Sequence, residues 1–251
     1  MSERRIAWLS PDDFPDAFPD VETALREPNG LLAAGGDLSA NRLLTAYRRG
    51  IFPWYDAGQP ILWWAPDPRC VLRPQDLRIS RRLAQYARQS TLSLEFNSAF
   101  GDVMRACAGK RRSQQGTWIT AEMLNAYEQL HASGWAHSVE VWDGRQLVGG
   151  VYGVCIGRVF FGESMFSAID NASKFALLGL CSHMLANGLK LLDCQVASRH
   201  LLTLGATMLP RQEFTALLAD LCSPAASCAN WPGDSLPVAE SLHIWRSVAL
   251  H

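Results

Sequence analysis

The sequence predicts an α+β protein, and three observations carry that reading. From residue 137 the apolar period changes from helical to alternating, the mark of a strand meander. The meander is followed by helix, strand and helix, an order that lays helices on the faces of a sheet. The chain has 251 residues, 48% hydrophobic and 19% charged, enough core material for one large domain or two unequal ones.

Taken in order, residues 1–36 carry Pro11, Pro15, Pro19, Pro28, Gly30, Gly35 and Gly36, which predict irregular structure with turns. Asp37 or Ser39 can cap a short helix bearing Leu43, Leu44 and Tyr47, and Gly50 can end it. Trp54, Trp63 and Trp64 then lie among Pro53, Pro66 and Pro68. Aromatic rings held by prolines make rigid apolar walls, either a small core or one side of a pocket. Cys70-Val71-Leu72 reads as a strand. Ser80 caps a helix over 81–88 with Arg81 and Arg82 in its first turn, where positive charge opposes the helix dipole and points to a nearby phosphate. Asn97 can cap a helix through Val103 and Met104. Residues 109–116 form a polar, basic loop. Thr120 caps a helix carrying Leu124, Tyr127 and Leu130, stopped by Gly134. Strands over 137–142, 146–156 and 159–165 are joined by turns at Asp143-Gly144 and Gly157-Arg158. A helix runs from Asn171 to about Ala186 and stops at Gly188. A strand covers 189–196, Ser198 caps a short helix ended by Gly205, and a last helix covers 211–221. The tail, 223–251, reads as irregular.

Bulk properties narrow the function. A formal net charge of −1 gives no global attraction to nucleic acid, so any RNA contact must come from local clusters such as Arg81-Arg82 or Lys110-Arg111-Arg112. The 7 cysteines are irregularly spaced without a CxxC, which supports neither a disulfide frame nor a zinc site. They read as reduced core thiols of a cytoplasmic protein. The N-terminus lacks the apolar run of a signal peptide, and no segment approaches the roughly 18 apolar residues of a membrane span. The histidines form no ligand spacing.

Two stretches carry polar groups that a plain core does not need. Glu163 interrupts the aromatic, Met-containing run 160–167. Asp193 and Gln195 sit two apart on an apolar strand, so regular alternation would point both to one face, with Cys194 packing on the other. Burying a carboxylate costs several kcal/mol unless it is paired. The topology predicts a crevice between one strand end and the neighbouring strand after a crossover helix, which would unite Glu163 with the Asp193/Gln195 pair.

With these residues reached, the chain resembles the bacterial leucyl/phenylalanyl-tRNA–protein transferases over about residues 21–221. The stretches Glu27-Pro28-Asn29-Gly30-Leu31-Leu32, Gly35-Gly36-Asp37-Leu38, Arg49-Gly50-Ile51-Phe52-Pro53-Trp54, Trp63-Trp64-Ala65-Pro66-Asp67-Pro68-Arg69, Gly116-Thr117-Trp118-Ile119-Thr120, Gly162-Glu163-Ser164-Met165-Phe166-Ser167, Asn171-Ala172-Ser173-Lys174 and Asp193-Cys194-Gln195 carry the likeness. The resemblance implies a small N-terminal domain (1–69) fused to an acetyltransferase-like, acyl-CoA N-acyltransferase domain with a central mixed sheet (70–251). It implies transfer of Leu or Phe, less readily Met, from aminoacyl-tRNA to the α-amine of proteins beginning with Arg or Lys, which marks them for degradation by the Clp protease. No metal, cofactor or membrane is implied. Glu163, Asp193 and Gln195 become the expected catalytic groups, with Asp193 orienting Gln195 or relaying a proton and Gln195 receiving the amine. Replacing Asp193 by Ala is expected to cut turnover without unfolding the protein. Trp54, Trp118, Val151, Phe160, Met165, Leu177, Leu180 and Leu192 become the expected aminoacyl pocket, and Arg81, Arg82, Lys110, Arg111, Arg112 and Lys174 the expected tRNA contacts. At Val151 and Leu180 the family pattern leads one to expect larger residues.

Two rivals stand beside this. An acyl-CoA N-acetyltransferase needs a glycine-rich pyrophosphate loop before the helix at Asn171, and 167–170 supplies no glycine. A non-catalytic tRNA-binding adaptor has no use for buried carboxylates beside an amide.

Overall fold

The computed structural model describes residues 6–111, 119–223, 231 and 235–249, without the side chains of Lys110 and Arg111. A small sheet joins β1 (Ala7–Leu9), β2 (Leu31–Gly35), β3 (Phe52–Pro53) and β4 (Leu62–Trp64) in the order β1-β2-β4-β3, with α1 (Ala40–Arg48) between β2 and β3. The chain then runs β5 (Arg69–Leu72), α2 (Arg81–Gln89), β6 (Ser93–Phe96), α3 (Phe100–Arg111), α4 (Ala121–Ala132), β7 (Ala136–Asp143), β8 (Gln146–Ile156), β9 (Val159–Ser167), α5 (Ala172–Ala186), β10 (Leu191–Gln195), α6 (Arg199–Thr203), β11 (Thr207–Leu209), α7 (Arg211–Leu221), β12 (Leu236–Pro237) and α8 (Val238–Ala249). The large sheet has the order β11-β5-β10-β9-β8-β7-β6-β12 and is mixed: β9 and β10 are parallel, joined over α5, and its other pairs are antiparallel. The fold is therefore α+β, as the sequence predicts.

The local rules behind the helices are visible. Ser39, Ser80, Thr120 and Ser198 each accept a backbone N–H from the first turn of α1, α2, α4 and α6. Asn97 does not cap α3. It takes φ 62 and turns its amide across to β7, accepting from Ser138 N and bonding His137 Nδ1, both at 3.1 Å. Asn171 sits in the left-handed region and makes no side-chain cap to α5.

Alternation along the large sheet splits the core in two. Val71, Tyr152, Val154, Val159, Phe161 and Leu191 face a cluster shared with α1, α3, α4, α7 and the small sheet. Cys70, Leu72, Val151, Cys155, Phe160 and Leu192 face α2, α5 and α8. The first cluster reaches from Leu9 to Cys222, so the small sheet and α1 share one core with the large sheet. Among the described residues no helix is long and apolar enough to cross a membrane.

The end of the chain departs from the irregular tail expected. Val238, Leu242 and Trp245 of α8 are buried at helical spacing against α5, and Trp245 Nε1 donates to Pro74 O at 2.9 Å. Trp231 stacks between His137 and His183, with ring centres 4.1 Å and 4.3 Å away. Burial lowers the His137 pKa to about 3 and that of His183 to about 4, from 6.5. In the unfolded chain both rings take a proton near the ordinary value. Below pH 6.5 the unfolded state thus binds more protons at these two rings, and their contribution to stability falls as pH drops toward 4. Calorimetry should show the wild-type thermal midpoint responding more steeply to acid through that window than the midpoint of His183→Phe, which lacks one of the two rings.

Candidate active site

The parallel pairing of β9 and β10 runs from Val159/Leu191 to Phe161/Asp193 and then ends. Beyond that point each strand carries an irregularity. On β9, Gly162 and Ser164 pair with Gly153 and Tyr152, which leaves Glu163 as the extra residue of a bulge. On β10 the register shifts between Asp193 and Gln195, and Gln195 takes φ 60. Bulges bend strands apart and re-aim side chains. Here they open a cleft of about 330 Å³ between the strands.

Alternation on β10 nevertheless holds as expected: Leu191, Asp193 and Gln195 face the side of Tyr47, Phe52 and Phe214, and Leu192 and Cys194 face the other. Asp193 is fully buried, and its oxygens accept from Arg69 Nε at 2.8 Å and Nη2 at 2.7 Å. Its Oδ1 also accepts the backbone N–H of Gln195 at 2.9 Å. Gln195 reaches the cleft and donates from Nε2 to Glu163 Oε1 at 2.7 Å. Glu163, 8% exposed, accepts further bonds from Tyr47 Oη at 2.8 Å and Tyr127 Oη at 3.1 Å, and the two phenol oxygens lie against each other. The topology thus unites the three predicted groups in one connected network that touches solvent.

Burial disfavours charge on Glu163. Together with the nearby Asp193 charge, it outweighs the hydrogen bonds from Tyr47, Tyr127 and Gln195 and raises the pKa to about 7. The tyrosines shift well up, chiefly by burial and then by facing Glu163. A carboxylate accepts only, so Gln195 must present its NH₂ to Glu163 and keep its carbonyl oxygen for an incoming N–H. Cys194 is half-buried at the cleft, and its hydrogen bond with Cys70 and its desolvation push its thiol up and make it a poor nucleophile.

A family model described as leucyl/phenylalanyl-tRNA protein transferase matches residues 71–219, and one for the N-terminal domain of the same proteins matches residues 36–67. The chain is 55% identical over 213 residues to the leucyl/phenylalanyl-tRNA–protein transferase of Pseudomonas aeruginosa, covering 85% of this chain and 93% of that protein. It is 50% identical over 237 residues to the one from Methylococcus capsulatus, covering 92% and 100%. The chain belongs to the leucyl/phenylalanyl-tRNA–protein transferase family.

Against that aminoacyltransferase family, the residues expected at the aminoacyl pocket divide. Trp54, Val151, Met165, Leu177 and Leu192 line the cleft. Phe160 and Leu180 do not: both are fully buried in the core between the sheet and α5. Phe160 packs against Trp231, with ring centres 5.8 Å apart. Trp118 lies outside the described residues. Of the basic residues, Arg82 and Lys174 line a second cavity of about 960 Å³ at the start of α2 and α5, joined there by Arg78. Arg81 is exposed beside it without lining it. Arg112 lies outside the described residues, as do the side chains of Lys110 and Arg111. Sequence reasoning missed Arg69, Tyr47 and Tyr127. The transferase-family motif ending in Arg69 carried one signal, since two buried carboxylates need a cation.

Proposed function

We propose that this chain transfers Leu or Phe, and less readily Met, from aminoacyl-tRNA to the α-amine of proteins beginning with Arg or Lys, creating a degradation signal in the cytoplasm. The observation that carries this is the opening between β9 and β10. There a carboxylate and a carboxamide meet at the mouth of an apolar pocket. The reaction is aminolysis of an ester, which is already activated. An α-amine with pKa near 7.7–8 is roughly a tenth neutral at pH 7, so only modest base assistance is needed. Positioning the amine on the carbonyl can supply up to about 7–11 kcal/mol. No covalent intermediate is required, which agrees with the raised thiol pKa of Cys194, the cysteine at the cleft.

Val151, Met165, Leu177 and Leu192 form an apolar wall for the donor side chain. Met adapts to unlike shapes, and an apolar pocket discriminates by only about 1–3 kcal/mol per methylene, which supports acceptance of several side chains. The free carbonyl of Gln195 receives the amine, Asp193 orients Gln195, and Glu163 holds the amine from the other side. Residues 1–69 act as a small N-terminal domain beside an acetyltransferase-like domain, 70–251.

The second cavity holds tRNA phosphate. Arg78, Arg82 and Lys174 converge on it, and α6 separates it from the cleft. His200 of α6 lines the cleft, its pKa lowered by burial and by Lys174. Phosphate-led binding suits an enzyme that accepts different tRNAs. Titration of Phe-tRNA affinity against salt should give a slope that falls by about one on removing either Arg82 or Lys174. An unchanged slope in both variants counts against phosphate contacts here.

The reading is tested by incubating the protein with an Arg-initiated peptide and radiolabelled Phe-tRNA or acetyl-CoA. Label passing from Phe-tRNA to the peptide is expected. Label from acetyl-CoA, or tRNA binding without transfer, contradicts it.

A further inference from the structure

Both oxygens of Asp193 are already engaged by donors, and its side chain is 0% exposed. Oδ2 is held by Arg69 Nη2 at 2.7 Å, and Oδ1 by Arg69 Nε at 2.8 Å and the Gln195 N–H at 2.9 Å. Arg69 is fixed in turn. Its Nη1 donates to Gly50 O at 3.0 Å, and its guanidinium lies 4.7 Å and 4.8 Å from the Phe52 and Phe214 ring centres. The side chains of Arg69 and Asp193 are 1% and 0% exposed. A guanidinium keeps its charge throughout the working pH range, and a two-pronged pair fixes both distance and plane. A carboxylate bound in this way is held rigid.

We propose that Arg69 is a positioning residue that dedicates Asp193 to holding Gln195, and that Glu163 is the group that takes the proton from the attacking amine. This rests on reading the cleft as an aminoacyl-transfer site. In the step, the amine lone pair forms the C–N bond to the ester carbonyl carbon. The ester C–O bond breaks, and its electron pair leaves on the ribose oxygen of the terminal nucleotide. Glu163 accepts one N–H proton and returns it to that oxygen, so the carboxylate is restored and the products are an amide and a free ribose hydroxyl. The ionisable groups facing Glu163 are Tyr47 from α1, Tyr127 from α4 and Asp193 from β10, with Arg69 of β5 behind Asp193. Tyr152 of β8 lies edge-on to Tyr127, and His200 of α6 lines the same cleft. With the phenols shifted up and Asp193 locked in its ion pair, Glu163, near pH 7, is the network carboxyl poised to exchange a proton.

The test follows kcat/KM for Phe transfer to an Arg-initiated peptide between about pH 5.5 and 6.5, where this ratio reports free enzyme and free amine. Both Glu163 and the amine must lose a proton, so the logarithm rises with slope two in the wild type. Asp193→Asn, which keeps its shape but removes a charge that raises Glu163, is expected to be slower with its slope-two range moved to lower pH, whereas Glu163→Gln shows slope one at every pH. Arg69→Lys keeps the charge but not the fork. Its kcat is expected to fall about ten- to a hundred-fold, with KM for Phe-tRNA unchanged and slope two retained. If that variant does not fold, Asp193→Asn reads the same coupling. Slope one at every pH in Asp193→Asn, slope two in Glu163→Gln, or Arg69→Lys with wild-type kcat per folded molecule overturns the proposal. A wild type that moves no Phe at any pH counts instead against the transferase reading itself.

Discussion

Glu163→Gln is expected to lower Phe transfer at pH 7 by about 10²–10⁴-fold, the range that a positioned general base contributes. The variant should fold. A glutamine carbonyl can accept from Tyr47 or Tyr127 as Glu163 Oε1 and Oε2 do now. Its amide group can meet the other phenol oxygen or the Gln195 carbonyl. Affinity for Phe-tRNA should hold, because the apolar wall and the basic cavity are untouched. The loss thus belongs to kcat. Quenched single-turnover transfer separates the two: a slow step at full tRNA occupancy agrees, whereas a normal step with weakened binding does not.

Asp193→Ala has the second large effect, and here the structure revises what the strand pattern alone predicts. Sequence reasoning expects slower turnover in a folded protein. With Arg69 in place, the truncation strands a guanidinium that is 1% exposed. Removing one partner of a buried pair costs about 3–5 kcal/mol, largely through the charge left behind. For a chain of this length that lowers the thermal midpoint by about 6–20 °C. Asp193→Asn keeps an acceptor toward Arg69 and should lose far less stability. Scanning calorimetry of the two variants distinguishes a buried ion pair from a surface carboxylate, whose removal leaves the midpoint nearly unchanged.

Much of this site was legible before any coordinates. Serine and threonine before apolar-periodic runs gave the starts of four helices. The alternating stretch after residue 137 gave the meander, and a helix between two strands implied the parallel neighbours that bring Glu163 to Gln195. What escaped has identifiable causes. Strands of two to five residues, such as β3, β6 and β11, are too short for a period to emerge. The helix α8 did carry its signal in Val238, Leu242 and Trp245, but the Pro, Ser and Gly before it dominated the composition. A bulge is one extra residue and leaves no mark in a two-residue period, so the register shift at Glu163 and the left-handed turn at Gln195 could not be read from alternation. Arg69 and Tyr47 act through contacts with residues more than a hundred positions away, which local patterns do not encode.

The central claim is best tested by a crystal structure bound to an aminoacyl-adenosine analogue whose ester is replaced by an amide. A Phe side chain against Val151, Met165, Leu177 and Leu192, with the carbonyl carbon leaving room for an amine about 3–3.5 Å away beside Gln195 and Glu163, is the predicted outcome. An analogue seated elsewhere, with the space between β9 and β10 unfilled, contradicts it.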